Sequence, residues 1–248
     1  MIVRRLDART VIVLQTEHAR QSGVLGAALR PEFLGAPADQ VDLVRAIALH
    51  DIGWTQWERG PHFAPDGLPV NFTDLPQSTH DAIWDDGIFN LLHHVGPAAA
   101  AYLGRHGDHL EAIHGGSEKR RDLITALAQR AWPEASAEKA FARTEQGFRA
   151  LFFCDALSLV ACAGWESAEV HLLNTAGENI PISARRTGDW TIEVDPWPFC
   201  AEEMRGVFVD ACVVERGQEK SSAQILRSSR ESQVRIPIDY VPMKEASR

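Results

Sequence analysis

The sequence predicts an α+β fold, a helical bundle followed by a β-rich C-terminal portion, and three observations carry that expectation. Apolar residues recur at helical spacing from about Glu17 to Ala163. From Gly164 onward the pattern changes to short alternating or β-branched runs separated by Gly, Asn, Pro and Asp. The opening residues carry two β-branched clusters, MIVRR and TVIVLQ, joined by a short polar link. That is the pattern of a hairpin able to join the C-terminal sheet.

Each element has its own local reason. A first amphipathic helix carries His18 through Leu29. Asp39, just after Pro37, is placed to cap a second helix running through Val41, Val44, Ile47 and Ala48 to His50, and Gly53 marks its end. Residues 59–77 hold four prolines and two glycines, which predicts a long irregular loop; loops of that length are more often functional than not, and this one could be a lid. Ser78, with Asp81 three residues on, has the form of a capped start to a helix holding His80, Trp84, Ile88 and Leu91. Gly96 and Pro97 break the chain, and AAAAYLGRHGDHLEAI resumes helix around His106. After a polar stretch from Gly115 to Arg121, two more helices are expected at about 122–132 and 136–163. The runs EVHLLN, IPISA, WTIEVD, GVFVDACVV and VRIPIDY read as antiparallel strands. Residues 1–163 are expected to form the helical region with its hairpin, and residues 164–248 a β-rich region packed on it in one fold.

Composition narrows the function classes. The 248 residues are 45% hydrophobic and 24% charged, ordinary for a chain able to bury a core. With 34 acidic against 25 basic residues the net charge is -9, and Lys119, Arg120 and Arg121 form the one short basic run, so nucleic acid and anionic membrane are poor partners. A small-molecule substrate is the better expectation, with a homodimer open. Val11 to Leu14 is too brief an apolar run for a signal peptide core or a membrane span. Cys154, Cys162, Cys200 and Cys212 show no CxxC pairing, which reads as free thiols in a reducing, cytoplasmic setting.

Six residues stand out: His18, His50, Asp51, His80, His106 and Asp155, most of them in apolar stretches that would normally exclude them. AIALHDIGW and ALFFCDALSLVAC are the clearest cases, each with an Asp inside an apolar helical run. A buried charge or imidazole needs a partner, and metal ions commonly partner this mixture of donors. A lone histidine on an apolar face is more often a hydrogen-bonded core residue, at roughly four to one. Arg143 or Arg149 could instead satisfy Asp155, Glu17 and Arg20 would suit a solvated His18, and His80 could cap its helix. His106 has rivals in His109 and in the doublet His93 and His94, which also suits a helix C-terminus.

The order H…HD…H…H…D resembles the HD-domain superfamily, with ALHDIG matching its signature dipeptide in context and DALSL similar to its closing helix. The resemblance covers about residues 15 to 163 and implies an HD-type helical bundle holding one or two divalent ions: iron, manganese, zinc or magnesium. It implies one ion at His18, His50, Asp51 and Asp155, and a second at His80, His106 and a bridging Asp51. RHG at His106 and the 26-residue gap from His80 fit that arrangement. Taken together, HDIGWTQWE, HDAIW, CDALSL and VDPWPF resemble a small bacterial family catalogued only as a domain of unknown function. Trp54 stands where many HD phosphohydrolases have Lys, and no GYP tripeptide follows, which speaks against cyclic dinucleotides. Trp54 could wall an apolar pocket, and Arg20 and Arg105 are the nearest candidates for contact with a phosphate.

Three functions follow from this pattern. The first is a metal-dependent hydrolase of a small phosphoester or nucleotide-like metabolite, with a metal-bridging hydroxide as nucleophile and His50 and Asp51 at the centre of catalysis. The second is a di-iron oxygenase of a small polar substrate. The third is an HD module used only for binding or sensing.

Overall fold

The computed structural model describes residues 1–113, 119–215, 224–225, 227–228 and 233–243; the expected polar stretch from Gly115 falls outside them as far as residue 118. The helices are α1 (Gln15–Ala28), α2 (Gln40–Leu49), α3 (Trp54–Arg59), α4 (Gln77–His94), α5 (Pro97–Ile113), α6 (Arg121–Ala131) and α7 (Ala137–Cys162). The strands are β1 (Ile2–Arg5), β2 (Arg9–Val13), β3 (Ser167–Leu173), β4 (Asn179–Arg186), β5 (Thr191–Asp195), β6 (Met204–Glu215) and β7 (Val234–Pro242).

The β structure is not a C-terminal portion set beside a helical bundle, as the sequence pattern suggested. All seven strands form one curled, mixed sheet in the order β1-β2-β6-β7-β5-β4-β3. The N-terminal hairpin is one end of that sheet: β2 pairs with the far end of β6, with Thr10 opposite Val214 and Val13 opposite Ala211. At twelve residues β6 is long enough to take β7 on one edge and β2 on the other. Nor is the sheet wholly antiparallel. The last strand, β7, inserts between β5 and β6; the chain reverses between those two, so β7 is antiparallel to β6 and parallel to β5.

The inner face of the sheet presents Val170, Leu172, Ile182, Ala184, Ile192 and Val194, all buried. They cover α7, which packs on β3, β4 and β5 and on α1, α2, α5 and α6. Between Ala150 and Cys162 almost every residue of α7 is buried, the signature of a helix enclosed on all sides. Ser136 starts it by accepting from the Lys139 N–H at 3.4 Å. The two other expected caps act differently. Asp39 sits at the N-cap of α2 but its carboxylate accepts from Trp132 Nε1 at 3.1 Å, and Ser78 lies inside α4, which begins at Gln77 after Pro76.

Two glycines let elements approach closely where the polar residues cluster. A Cβ on Gly23 of α1 would lie 2.4 Å from Ala48 Cβ of α2, and one on Gly53 would lie 2.0 Å from the Ile83 carbonyl oxygen of α4. Among the described residues no helix is long and apolar enough to cross a membrane.

Gly23→Ala separates two opposing effects. Alanine is the better helix former by about 1 kcal/mol, whereas overpacking a close crossing costs about 1–3 kcal/mol. The α1–α2 contact predicts net destabilisation in chemical denaturation, and a stabilised variant would contradict it.

Candidate metal centre

Four elements deliver five buried donors to one place. His18 comes from α1, His50 and Asp51 from the tight turn after α2, His106 from α5 and Asp155 from the enclosed stretch of α7. The turn is held by the Ile52 N–H on Leu49 O at 2.9 Å and the Trp54 N–H on Asp51 O at 3.0 Å. His18 is 1% exposed, His50 and His106 3%, Asp155 5% and Asp51 8%, so any charge among them must be met locally.

The ring orientations are fixed from behind. His50 Nδ1 donates to the Ile47 carbonyl at 2.7 Å. Ser158 Oγ donates to Gln21 Oε1 at 2.6 Å, so it accepts at 3.1 Å from His18 Nδ1. Both Nε2 atoms therefore face the carboxylates. His18 Nε2 lies 2.8 Å from Asp51 Oδ2 and 3.4 Å from Asp155 Oδ1; His50 Nε2 lies 3.5 Å and 3.4 Å from the same two atoms. On the far side His106 Nε2 stands 3.5 Å from Asp155 Oδ2.

An imidazole lone pair aimed at a carboxylate is repulsive, so each such contact requires either a second ring proton or a cation shared between the groups. His50 Nε2 is buried without a hydrogen-bond partner, as a metal ligand's donor atom would be. His18, His50 and Asp51 offer ligand atoms all within 4.8 Å of one another, a group that could hold a metal ion. The donor set of imidazole and carboxylate suits iron, manganese or zinc, and the hydrogen bonds behind His18 and His50 are the kind that orient metal-ligating imidazoles.

Without a metal the same geometry separates the titrations. Burial works against charge on His50, but Asp51 and Asp155 outweigh it and raise the imidazole to about 9. Asp155 is likewise opposed by burial, yet its contact with His50 and the neighbouring imidazoles hold it down at about 2. Burial lowers His106 to about 4.

These donors form the floor of a cavity of about 280 Å³, walled by Trp54, Trp84, Trp165, Phe72, Leu75 and Leu110. Phe72, Thr73, Leu75 and Gln77 place the end of the long proline-rich loop and the start of α4 on its rim. His80 lines this cavity but stands apart from the cluster: its Nε2 donates to the Phe72 carbonyl at 3.0 Å, and its ring meets Trp54 at 5.6 Å and Trp84 at 5.7 Å. Among the described residues His80, His106 and Asp51 do not form a tight ligand group.

Trp54 walls the cavity as its apolar character suggested, but the two arginines face elsewhere. Arg20 is exposed and pairs with Glu17 and Asp210. Arg105 pairs with Glu145 at 2.9 Å, lies over Phe148 and borders a different cavity. His93 and His94 lie exposed in the last turn of α4, and His109 packs on Phe148 and Phe152. Arg143 and Arg149 pair with Glu134 and Glu145. The sequence reading missed Ser158, whose place three residues after Asp155 could have shown it on the same helix face. It also missed Gln21, and Glu58, which accepts from the Gln15 N–H and from Thr16 Oγ1 beside the site; neither carried a local signal.

In the metal-free protein the His50 imidazole should titrate near pH 9 by NMR. Its raised value means that its contribution to stability is complete below the ordinary 6.5 and is lost as pH rises toward 9. The contribution of Asp155 is present above the ordinary 3.8 and lost as pH falls toward 2. A His50 resonance titrating at or below 6.5 would contradict this.

Residues 1–216 match the family model described as Protein of unknown function (DUF3891). No curated protein and no solved structure matches the chain. With most of its length covered by that model, the chain belongs to the DUF3891 family.

Proposed function

We propose that the chain is a metal-dependent hydrolase of HD-domain type acting on a small phosphoester in the cytoplasm. The observation that carries this reading is the convergence of His18, His50, Asp51 and Asp155 at the floor of one cavity, with His106 on the outer oxygen of Asp155. The four donors keep the chain order that the HD resemblance implies, with His18 on α1, His50 and Asp51 in the turn after α2 and Asp155 on α7.

His18, His50, Asp51 and Asp155 are the residues that would hold a divalent ion. Such an ion supplies a Lewis acid and lowers the pKa of bound water enough to make a nucleophile at neutral pH. The chain's own groups do the rest. Ser158 and the Ile47 carbonyl fix the two imidazoles so that no reorientation is needed. His106, kept neutral by burial, can hold its proton at Nε2, facing Asp155 Oδ2. The tryptophan-rich walls give the reacting group a largely apolar surround.

Charge balance tests the reading. One divalent ion offsets Asp51 and Asp155 and leaves nothing over for a phosphate dianion. Among the described residues no Lys or Arg lines the cavity, so a phosphoester requires a second ion or protonated imidazoles. The same walls favour a second reading, a di-iron oxygenase, which needs no phosphate-binding cation.

Anaerobic loading with iron or manganese should give bound metal that Asp155→Ala loses, and Ser158→Ala should weaken metal affinity about 10–100-fold. Turnover of 4-nitrophenyl phosphate with manganese or magnesium supports hydrolysis, whereas an iron pair that forms a mixed-valence state and reacts with dioxygen supports oxidation. Protein that binds no divalent metal and is indifferent to chelators would refute both.

A further inference from the structure

We infer that the cavity takes a small molecule built from one aromatic ring and a single polar or anionic head, not a nucleotide. The inference rests on the metal reading only for the placement of the head; the ring is argued from the walls.

The charged groups are segregated. The two carboxylates and the imidazoles of His18, His50 and His106 occupy the floor. Most of the remaining lining is aromatic or aliphatic, and Gln15, Thr73 and Gln77 add uncharged polar groups. Trp54, His80 and Trp84 form a continuous aromatic wall with successive ring centres 5.6 and 5.7 Å apart. Phe72 and Leu75 come from the loop side, and Trp165, 39% exposed, joins the lining from the turn after α7. Single exposed apolar residues are ordinary, but a tryptophan continuous with an aromatic-lined cavity is a surface that a flat ligand would cover.

Size and charge agree. A cavity of about 150 Å³ accommodates benzene, so about 280 Å³ suits one ring with a compact head. The phosphate chain of a nucleotide would need cations beyond the floor, and no Lys or Arg is among the described lining residues. The arginines expected to meet a phosphate, Arg20 and Arg105, are held by Glu17, Asp210 and Glu145 away from it.

The test uses ligands that share one head and differ only in the ring. Benzylphosphonate, methylphosphonate and AMP are titrated into manganese-loaded protein by calorimetry, with tryptophan emission followed in parallel. Benzylphosphonate should bind about tenfold or more tighter than methylphosphonate, the increment expected for burying a phenyl group, and tighter than AMP, with quenching of emission. Trp165→Ala and Trp84→Leu should each reduce the benzyl preference while leaving methylphosphonate affinity in place. Equal affinities for the two phosphonates, tighter AMP binding, or no binding of any of them would overturn the proposal. Metal content of the same preparation separates this from failure of the metal reading: loaded protein without ring preference sinks the ring-bearing ligand alone. In protein that loads no metal, benzyl alcohol against ethanol replaces the phosphonates; selective quenching by benzyl alcohol supports the aromatic chamber, and its absence overturns it.

Discussion

Two carboxylates buried in an apolar interior are tolerable only if positive charge is brought to them, and most of the local architecture follows from that constraint. Asp155 sits in the most enclosed stretch of α7, and among the described residues its close charged or ionisable partners are imidazoles. Those imidazoles must come from other elements, because a helix offers a side chain only its own neighbours at three and four residues. The crossing of α1 against α2 at Gly23 and the pressing of the Gly53 turn onto α4 bring them in. The sheet closes α7 from the other side through β3, β4 and β5, and Arg4 of β1 donates to the Ala161 carbonyl near the end of α7 at 2.6 Å.

The same packing explains why the site opens into an apolar chamber. Next to the floor the cavity is lined by Trp54, Trp84 and the loop residues Phe72 and Leu75. His80 belongs to this wall. Its ring nitrogen is committed to the Phe72 carbonyl, so it ties the proline-rich loop to α4 and helps set the rim of the chamber. The charged groups are gathered at the floor, and the rest of the lining is mostly aromatic and aliphatic with a few uncharged polar side chains.

Much of the floor was legible in the sequence because an Asp in ALFFCDALSLVAC or AIALHDIGW violates local hydrophobic patterning, and such violations need a partner wherever they occur. The walls were partly legible through Trp54. The arginine expectations failed for a rotational reason: Arg105 is one residue from His106 and Arg20 two from His18, which on a helix turns them about 100° and 200° away from the histidines. His80 could not be placed by spacing, since its partner is a backbone carbonyl eight residues upstream. That the hairpin could join the sheet was legible, but not its place beside β6, because alternation in β2 and β6 states that each strand has a buried face but not which strand lies beside it. Mixed pairing was hidden for the same reason, as nothing local marks β7 for insertion between β5 and β6.

Anomalous diffraction from crystals of protein loaded with manganese or iron tests the central claim most directly. The account predicts an anomalous peak between the Nε2 atoms of His18 and His50 and the carboxylates of Asp51 and Asp155. Loaded crystals with no peak there, or with the metal bound only elsewhere on the chain, would contradict it.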